Sequence, residues 1–360
     1  MRRFFQLLDS FFLRMEKSLG LLATSILVGL FLIGIAALLS SPRWELFYHG
    51  KGFSRLSLAP FDFSQESSLR FRILSPLLGY VLFLKGPLFK YLMLAILGFF
   101  YSLLYYFHRR KKHRPSESFG IGMVLALSTL AFFQLYFPGY NDPLSYVLIL
   151  VALFNRERRV LLMTCLALML FNHDNTIFLF PFFFLFLLEE DYSLKNLYSK
   201  IIFFLPAIAL YAAYRLIISS ISDPGFDTSY YFNRENLRWT WDHVSEHLWY
   251  GIFQAFRSGW IFPLIAIVIN VKEKRYKEIL LLIVGFIFII SQMFIAFDIS
   301  RLVGLAFPVL LLSAWRTGKY VGEENFLKIL WAVVFLNLFI PSEIVGALEP
   351  IPIPPFWIGL

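Results

Sequence analysis

Apolar and polar positions come in long blocks along this chain, not in residue-by-residue alternation. Apolar runs occupy about 18–41, 88–107, 118–138, 143–154, 159–171, 176–188, 200–220, 252–270, 279–297, 301–315 and 325–340. Blocks of this length predict helices that cross a lipid bilayer, and eleven of them predict an all-α, polytopic transmembrane protein. No repeat of fixed period interrupts the pattern, so residues 1–360 read as one transmembrane domain. Two longer polar stretches, 42–87 and 221–251, are the expected first and second extracytoplasmic loops. Before the first run, Met1–Lys17 mixes Phe and Leu pairs with Arg2, Arg3, Arg14 and Lys17, the pattern of an amphipathic interfacial helix.

The run lengths carry further information. A helix rises about 1.5 Å per residue and a bilayer core is about 30 Å thick, so runs 143–154, 159–171 and 176–188 are too short to cross it. They cross only if their polar ends lie below the membrane surface, which recesses Asp142 and the His173-Asp174 pair into a protein-lined cavity. Phe71–Leu84 is apolar as well, but counting it as a span would reverse every later helix. Pro76 and Gly86-Pro87 instead predict a short juxtamembrane or re-entrant helix there. The Pro350–Pro355 stretch is expected to be extended and stiff.

Composition and charge fix the class and the orientation. The chain is 58% hydrophobic and 16% charged, more apolar than a soluble core can absorb. Its net charge of +9 sits in short basic runs beside the apolar blocks, which excludes a single nucleic-acid-binding surface. With the N-terminus cytoplasmic, 21 of the 33 basic residues fall on the cytoplasmic side, including Arg109-Arg110-Lys111-Lys112, Arg158-Arg159 and Lys274-Arg275. The turns 139–142 and 172–175 contain no basic residue and fall on the opposite side. Cys165 is the only cysteine, so neither an internal disulfide nor a cysteine metal site is available.

Ionisable residues between apolar runs are candidate site residues, because a charge in hydrocarbon costs about 2.5–3.5 kcal/mol even on permissive scales. Three turns contain them: Tyr140-Asn141-Asp142, Asn172-His173-Asp174-Asn175 and Asp298-Ile299-Ser300-Arg301. His173-Asp174 admits three readings: a proton-transfer dyad, a metal site completed by Asp142, or a capping turn in which Asp174 or Asn175 caps the run from Thr176. Asp298 and Arg301 read as a structural ion pair. In the first loop, Arg70 and Arg72 have the chemistry of a phosphate grip or of headgroup anchors. Glu45, Asp62 and Glu66 are the loop carboxylates available as a general base.

The layout resembles the GT-C superfamily of integral membrane glycosyltransferases. The resemblance rests on an acid soon after the first span, an amphipathic helix in a long first loop, and short hairpins with acidic turns. Local strings carry it further: Leu69-Arg70-Phe71-Arg72-Ile73-Leu74-Ser75-Pro76, Asn141-Asp142-Pro143 and Asn172-His173-Asp174-Asn175. It implies a polyprenyl-phosphate-linked sugar as donor, inversion at the anomeric carbon, and a glycan, lipid or protein acceptor at the outer face of a bacterial cytoplasmic (inner) membrane. Glu45 or Asp62 would be the base, Arg70 and Arg72 would hold the phosphate, and Asp142, His173 and Asp174 would bind sugar hydroxyls or a divalent cation. Glu45 stands where the family usually has Asp, and no large soluble C-terminal domain is expected within residues 1–360. Competing classes are an outer-face O-acyltransferase with His173 as base, a lipid or polysaccharide transporter or flippase, and a GT-C-like subunit without catalysis.

Overall fold

The structure, a computed structural model, describes residues 2–62, 68–188, 193–221, 233–346 and 349–355. It begins with two helices joined at Gly20, whose φ of 83° breaks the run: α1 (Arg2–Leu19) buries Phe5, Asp9 and Phe12, and α2 (Leu21–Ser40) is apolar on every face. The first loop folds into α3 (Tyr48–Leu56), a 3₁₀ turn at Ser68–Phe71, and α4 (Leu74–Val81) with Pro76 in its first turn. The expected short helix is therefore present, and the loop contains a second one, α3, that the apolar pattern did not reveal.

A long helix, α5 (Phe89–Arg110), then packs along α2. Small residues allow the approach: a Cβ on Gly29 would stand 2.2 Å from Ser102 Oγ and 2.6 Å from the Gly98 carbonyl oxygen. With no hydrophobic drive between helices in lipid, close backbone packing of this kind holds them together. Next come α6 (Pro115–Ala126) and α7 (Thr129–Tyr136), bent by 51° where Ser128 caps the second helix. The short helices follow as expected: α8 (Asp142–Phe154), α9 (Arg159–Asn172), and α10 (Phe180–Leu188) entered through a 3₁₀ segment at Asp174–Leu179.

The second half opens with α11 (Leu194–Ile221), which has Pro206 inside it. Then come α12 (Arg234–Phe256), a 3₁₀ turn at Arg257–Trp260, α13 (Ile261–Lys272) and α14 (Tyr276–Ser291). Residues 234–251 of the second polar stretch are thus helical, while 222–232 lie outside the described residues. A 3₁₀ turn at Gln292–Phe294 leads to α15 (Ile299–Gly304), α16 (Phe307–Val321) and α17 (Glu323–Phe339). The proline-rich tail is extended, as a strand: β2 (Ile351–Ile353) pairs antiparallel with β1 (Ser342–Ile344), Glu343 opposite Pro352.

Among the described residues, five helical stretches are long and apolar enough to cross a membrane, or six if the bent α6–α7 pair is one span. α8, α9 and the Asp174–Leu188 stretch fall short of that length. Ion pairs identify the two ends of the bundle. At one end Arg109 meets Glu16, Arg114 meets Asp9 and Glu323, and Arg316 meets Glu273, so the basic runs of the sequence gather there. The acidic turns gather at the other end.

Candidate functional site

Two short turns build the floor of the acidic end. Asn172 closes α9, and its amide donates to the Asn141 carbonyl oxygen (2.8 Å) and to Ser145 Oγ (2.8 Å) while its Oδ1 accepts from Ser75 Oγ. Asn141 returns the bond through Nδ2 to the Asn172 carbonyl. Both N–H bonds of the Asn172 amide are used, as a buried side chain of this type requires. The first loop, the α7–α8 turn and the α9–α10 turn are thereby locked together through one fully buried asparagine.

Asp142 begins α8, where the positive end of the helix dipole favours a carboxylate. Its side chain is 2% exposed. Gln134 donates to Oδ2 at 3.0 Å, Arg301 Nε stands 3.8 Å from Oδ2, and His173 Nε2 stands 3.7 Å from Oδ1. Arg301 also pairs with Asp298 (Nη1 to Oδ2, 2.9 Å), as expected from their spacing. Its guanidinium lies over the rings of Phe133 and Tyr140, at 5.3 and 5.0 Å from their centroids. Arg301 is therefore more than a local partner of Asp298; it joins α15 to the α8 terminus.

His173 takes the capping role assigned from sequence to Asp174 or Asn175. Its Nδ1 accepts from the Asn175 backbone N–H at 3.3 Å, and Thr176 Oγ1 donates to its carbonyl oxygen at 2.7 Å. With Nδ1 accepting, the neutral ring places its proton on Nε2, facing Asp142; this tautomer is assigned from the bonding pattern. Asp174 is thereby released from capping. It binds Arg72 (Nε to Oδ1, 2.9 Å) and Arg215 (Nη1 to Oδ2, 3.4 Å).

The guanidinium that shares Asp174 with Arg72 is that of Arg215 on α11. Arg215 lies over the Phe71 ring at 4.3 Å, and Tyr214 donates its hydroxyl to the Arg70 carbonyl at 2.9 Å, so α11 grips the 68–72 turn from outside. Arg70 is buried, with its guanidinium 5.8 Å from the Phe71 ring centroid. Sequence reading missed Arg215, although the signal was there: it is the lone charge between Ile201 and Ile221. Gln134 gave no comparable signal, being a neutral residue near the end of an apolar run.

Glu45 is exposed and forms no ion pair among the described residues; Asp62 is exposed next to exposed Phe61; Glu66 lies outside the described residues. Between them, α3 lies on the 138–140 turn so closely that Gly50 and Gly139 touch backbone to backbone. A Cβ on Gly50 would stand 2.5 Å from the Pro138 carbonyl oxygen, and Gly139 has φ +90°. His49 is brought to 5.7 Å from the Tyr140 ring centroid. Much of its surface remains accessible, yet the protein packed around it, then the charges of Arg301 and Arg72, push its pKa down to about 4.

Metal-ligand geometry occurs elsewhere. Among the described residues the one group of three close ligand-type side chains is His108, His113 and Glu117, at the basic end. There the Trp315 indole N–H donates to His108 Nε2 (3.2 Å), which leaves the proton of the neutral ring on Nδ1. His113 Nδ1 stands 2.7 Å from Glu117 Oε1. Those contacts describe a hydrogen-bonded aromatic stack in which His108 has no spare lone pair to offer a cation.

No known protein family model matches this chain, and no curated protein or solved structure does so either. The fold itself defines an all-α protein of the membrane-spanning class. Its candidate site is a charged cluster drawn from the first loop and from α7, α8, α11, α15 and the α9–α10 turn.

Proposed function

We propose that this protein is a GT-C-like membrane glycosyltransferase that moves a sugar from a polyprenyl-phosphate donor to an acceptor hydroxyl at the extracytoplasmic face. In this reading the chain passes the bacterial cytoplasmic (inner) membrane eleven times. The basic end and the N-terminus are cytoplasmic, and the acidic end faces out. The observation that carries the reading is the sharing of Asp174 between Arg72 and Arg215, a pair of guanidinium groups on two elements at the cluster surface.

Two guanidiniums gathered on one carboxylate offer N–H donors of the kind that match phosphate oxygens. Arg72 and Arg215 would hold the donor phosphate, with Arg70 supporting the same turn. Asp174, whose side chain is 21% exposed, is open enough to meet a sugar hydroxyl, whereas Asp142 at 2% is not. Asp142 and His173 are closed in behind it and would keep its turn in shape. Their burial also weighs against an acyltransferase with His173 as base, since a base must reach the hydroxyl it deprotonates.

In the step itself the acceptor oxygen forms a bond to the anomeric carbon as the carbon–oxygen bond to phosphate breaks, with inversion. The phosphate leaves with the bonding electron pair, its charge met by Arg72 and Arg215. A carboxylate takes the acceptor proton. Asp142, Asp174 and Asp298 are each already engaged by a guanidinium, so exposed Glu45 or Asp62 would serve.

The test is transfer from a panel of polyprenyl-phosphate sugars by the reconstituted full chain, read as release of polyprenyl phosphate by mass spectrometry. Release by wild type and about a hundredfold or greater loss in Glu45→Gln or Asp62→Asn supports the reading. Transmembrane movement of the donor without release contradicts it and favours transport.

A further inference from the structure

The basic end contains a cleft unrelated to the acidic cluster. It has a volume of about 290 Å³ and opens between the α8–α9 turn, the α13–α14 turn, α10, α14 and the end of α16. Arg156, Arg275, Lys277, Arg316 and Lys319 line it, with Glu278 the one acid in the lining. Its floor is apolar, formed by Phe186, Leu281, Leu282 and Leu312.

We infer that this cleft binds an anionic phospholipid of the surrounding leaflet, its phosphate among the basic side chains and its acyl chains along α14. Among the described residues, Glu278 takes Arg275, Glu273 takes Arg316 and Glu157 stands 3.2 Å from Arg156, while Lys319 is without an ion pair and leaves its charge to the rim. Arg156 also lies 5.5 Å from the Phe186 ring centroid, a basic group seated directly over the apolar floor. Trp315 completes the wall, an aromatic amphiphile suited to headgroup depth.

A lipid fits this combination better than a free anion does. Phosphate alone would use the cations and leave the apolar floor unused. Beyond the cleft, α14 exposes Leu280, Ile283 and Ile287, a continuous greasy track leading away from the basic rim. Basic pockets between helices at the cytoplasmic side are the usual setting for anionic headgroups. The inference stands independently of the transferase reading, because it uses no residue of the acidic cluster.

The experiment uses the full chain reconstituted in mixed phosphatidylcholine and phosphatidylglycerol vesicles, extracted with its bound lipid and weighed by native mass spectrometry. Wild type should retain phosphatidylglycerol well above its bulk share. Each basic residue near the surface contributes roughly a fivefold preference, so Arg156→Gln with Arg275→Gln and Lys319→Gln should reduce retention roughly a hundredfold. Arg238→Gln, at the acidic end and exposed, should leave it unchanged. If the triple variant loses helicity, Lys319→Gln alone is read, with a roughly fivefold drop expected. Retention of both lipids in their bulk ratio overturns the inference, as does undiminished retention in the variants. Displacement of the lipid by inorganic phosphate alone overturns it as well.

Discussion

Arg72 Nε stands 2.9 Å from Asp174 Oδ1, tying the first loop to a turn 102 residues further along the chain. Arg215 approaches the other oxygen of the same carboxylate, so one aspartate anchors two guanidiniums that would otherwise repel. Asp174→Asn should therefore loosen the loop rather than the bundle. The pair is partly buried, so the expected cost is about 1–3 kcal/mol. Hydrogen exchange would show it as faster exchange confined to residues 68–72, with α5 and α8 unchanged. Uniform acceleration through the bundle would mean that Asp174 acts elsewhere.

Asn172 should be the most sensitive neutral residue of the floor. Asn172→Leu removes bonds to Asn141, Ser145 and Ser75 at once and leaves their buried partners unsatisfied. A loss of about 3 kcal/mol or more is expected, at roughly 1 kcal/mol per bond plus desolvation. Thermal denaturation in detergent measures it, with Asn175→Leu, on the same turn but only half-buried, as the milder comparison. Equal melting temperatures for the two variants would remove Asn172 from its keystone role.

Packing of α2 on α5 depends on the missing side chain at Gly29. Gly29→Val places carbon against Ser102 and the Gly98 backbone, and backbone cannot swing aside. Overpacking of this sort costs about 1–3 kcal/mol. Gly34→Val, on the same helix with open space around it, should be neutral in the same melting assay.

His49 supplies a pH signature. Its pKa lies at about 4 in the folded protein, below the ordinary histidine value near 6.5, so the unfolded chain binds the extra proton between those limits. Stability should consequently rise with pH from about 4 to about 6.5 and owe nothing further to this group above that window. The difference between wild type and His49→Gln melting curves isolates the effect, and a flat difference across pH 4–7 would refute it. Histidine NMR gives the pKa directly.

Much of this architecture was legible because bilayer chemistry writes itself in long blocks. The apolar runs fall largely on helix, although 118–138, 252–270 and 301–315 are each broken into two, and the three short ones are short in the structure. The turns around Asp142, His173 and Arg301 were legible as members of one site because ionisable groups in apolar surroundings need partners. Partner choice was not. Arg72 finds Arg215 and Asp174 through the packing of α11 against the first loop, a tertiary relation with no local spacing to betray it. Capping by His173 was hidden for a different reason: imidazole Nδ1 can replace a carboxylate as acceptor, and only the backbone geometry decides which one does. α3 escaped notice because its Gly50 and Gly52, poor helix formers, serve close contacts with Pro138 and Leu69.

The central claim is that Arg72 and Arg215 form a phosphate grip at the acidic end. Native mass spectrometry of the reconstituted chain with a polyprenyl phosphate tests it most directly, comparing wild type with Arg72→Lys, Arg215→Lys and their combination. Lysine keeps the charge and loses the planar fork, so the fold should survive while lipid retention falls by about tenfold or more for the combination. Unchanged retention of polyprenyl phosphate by the double variant, with the protein still folded, would contradict the account.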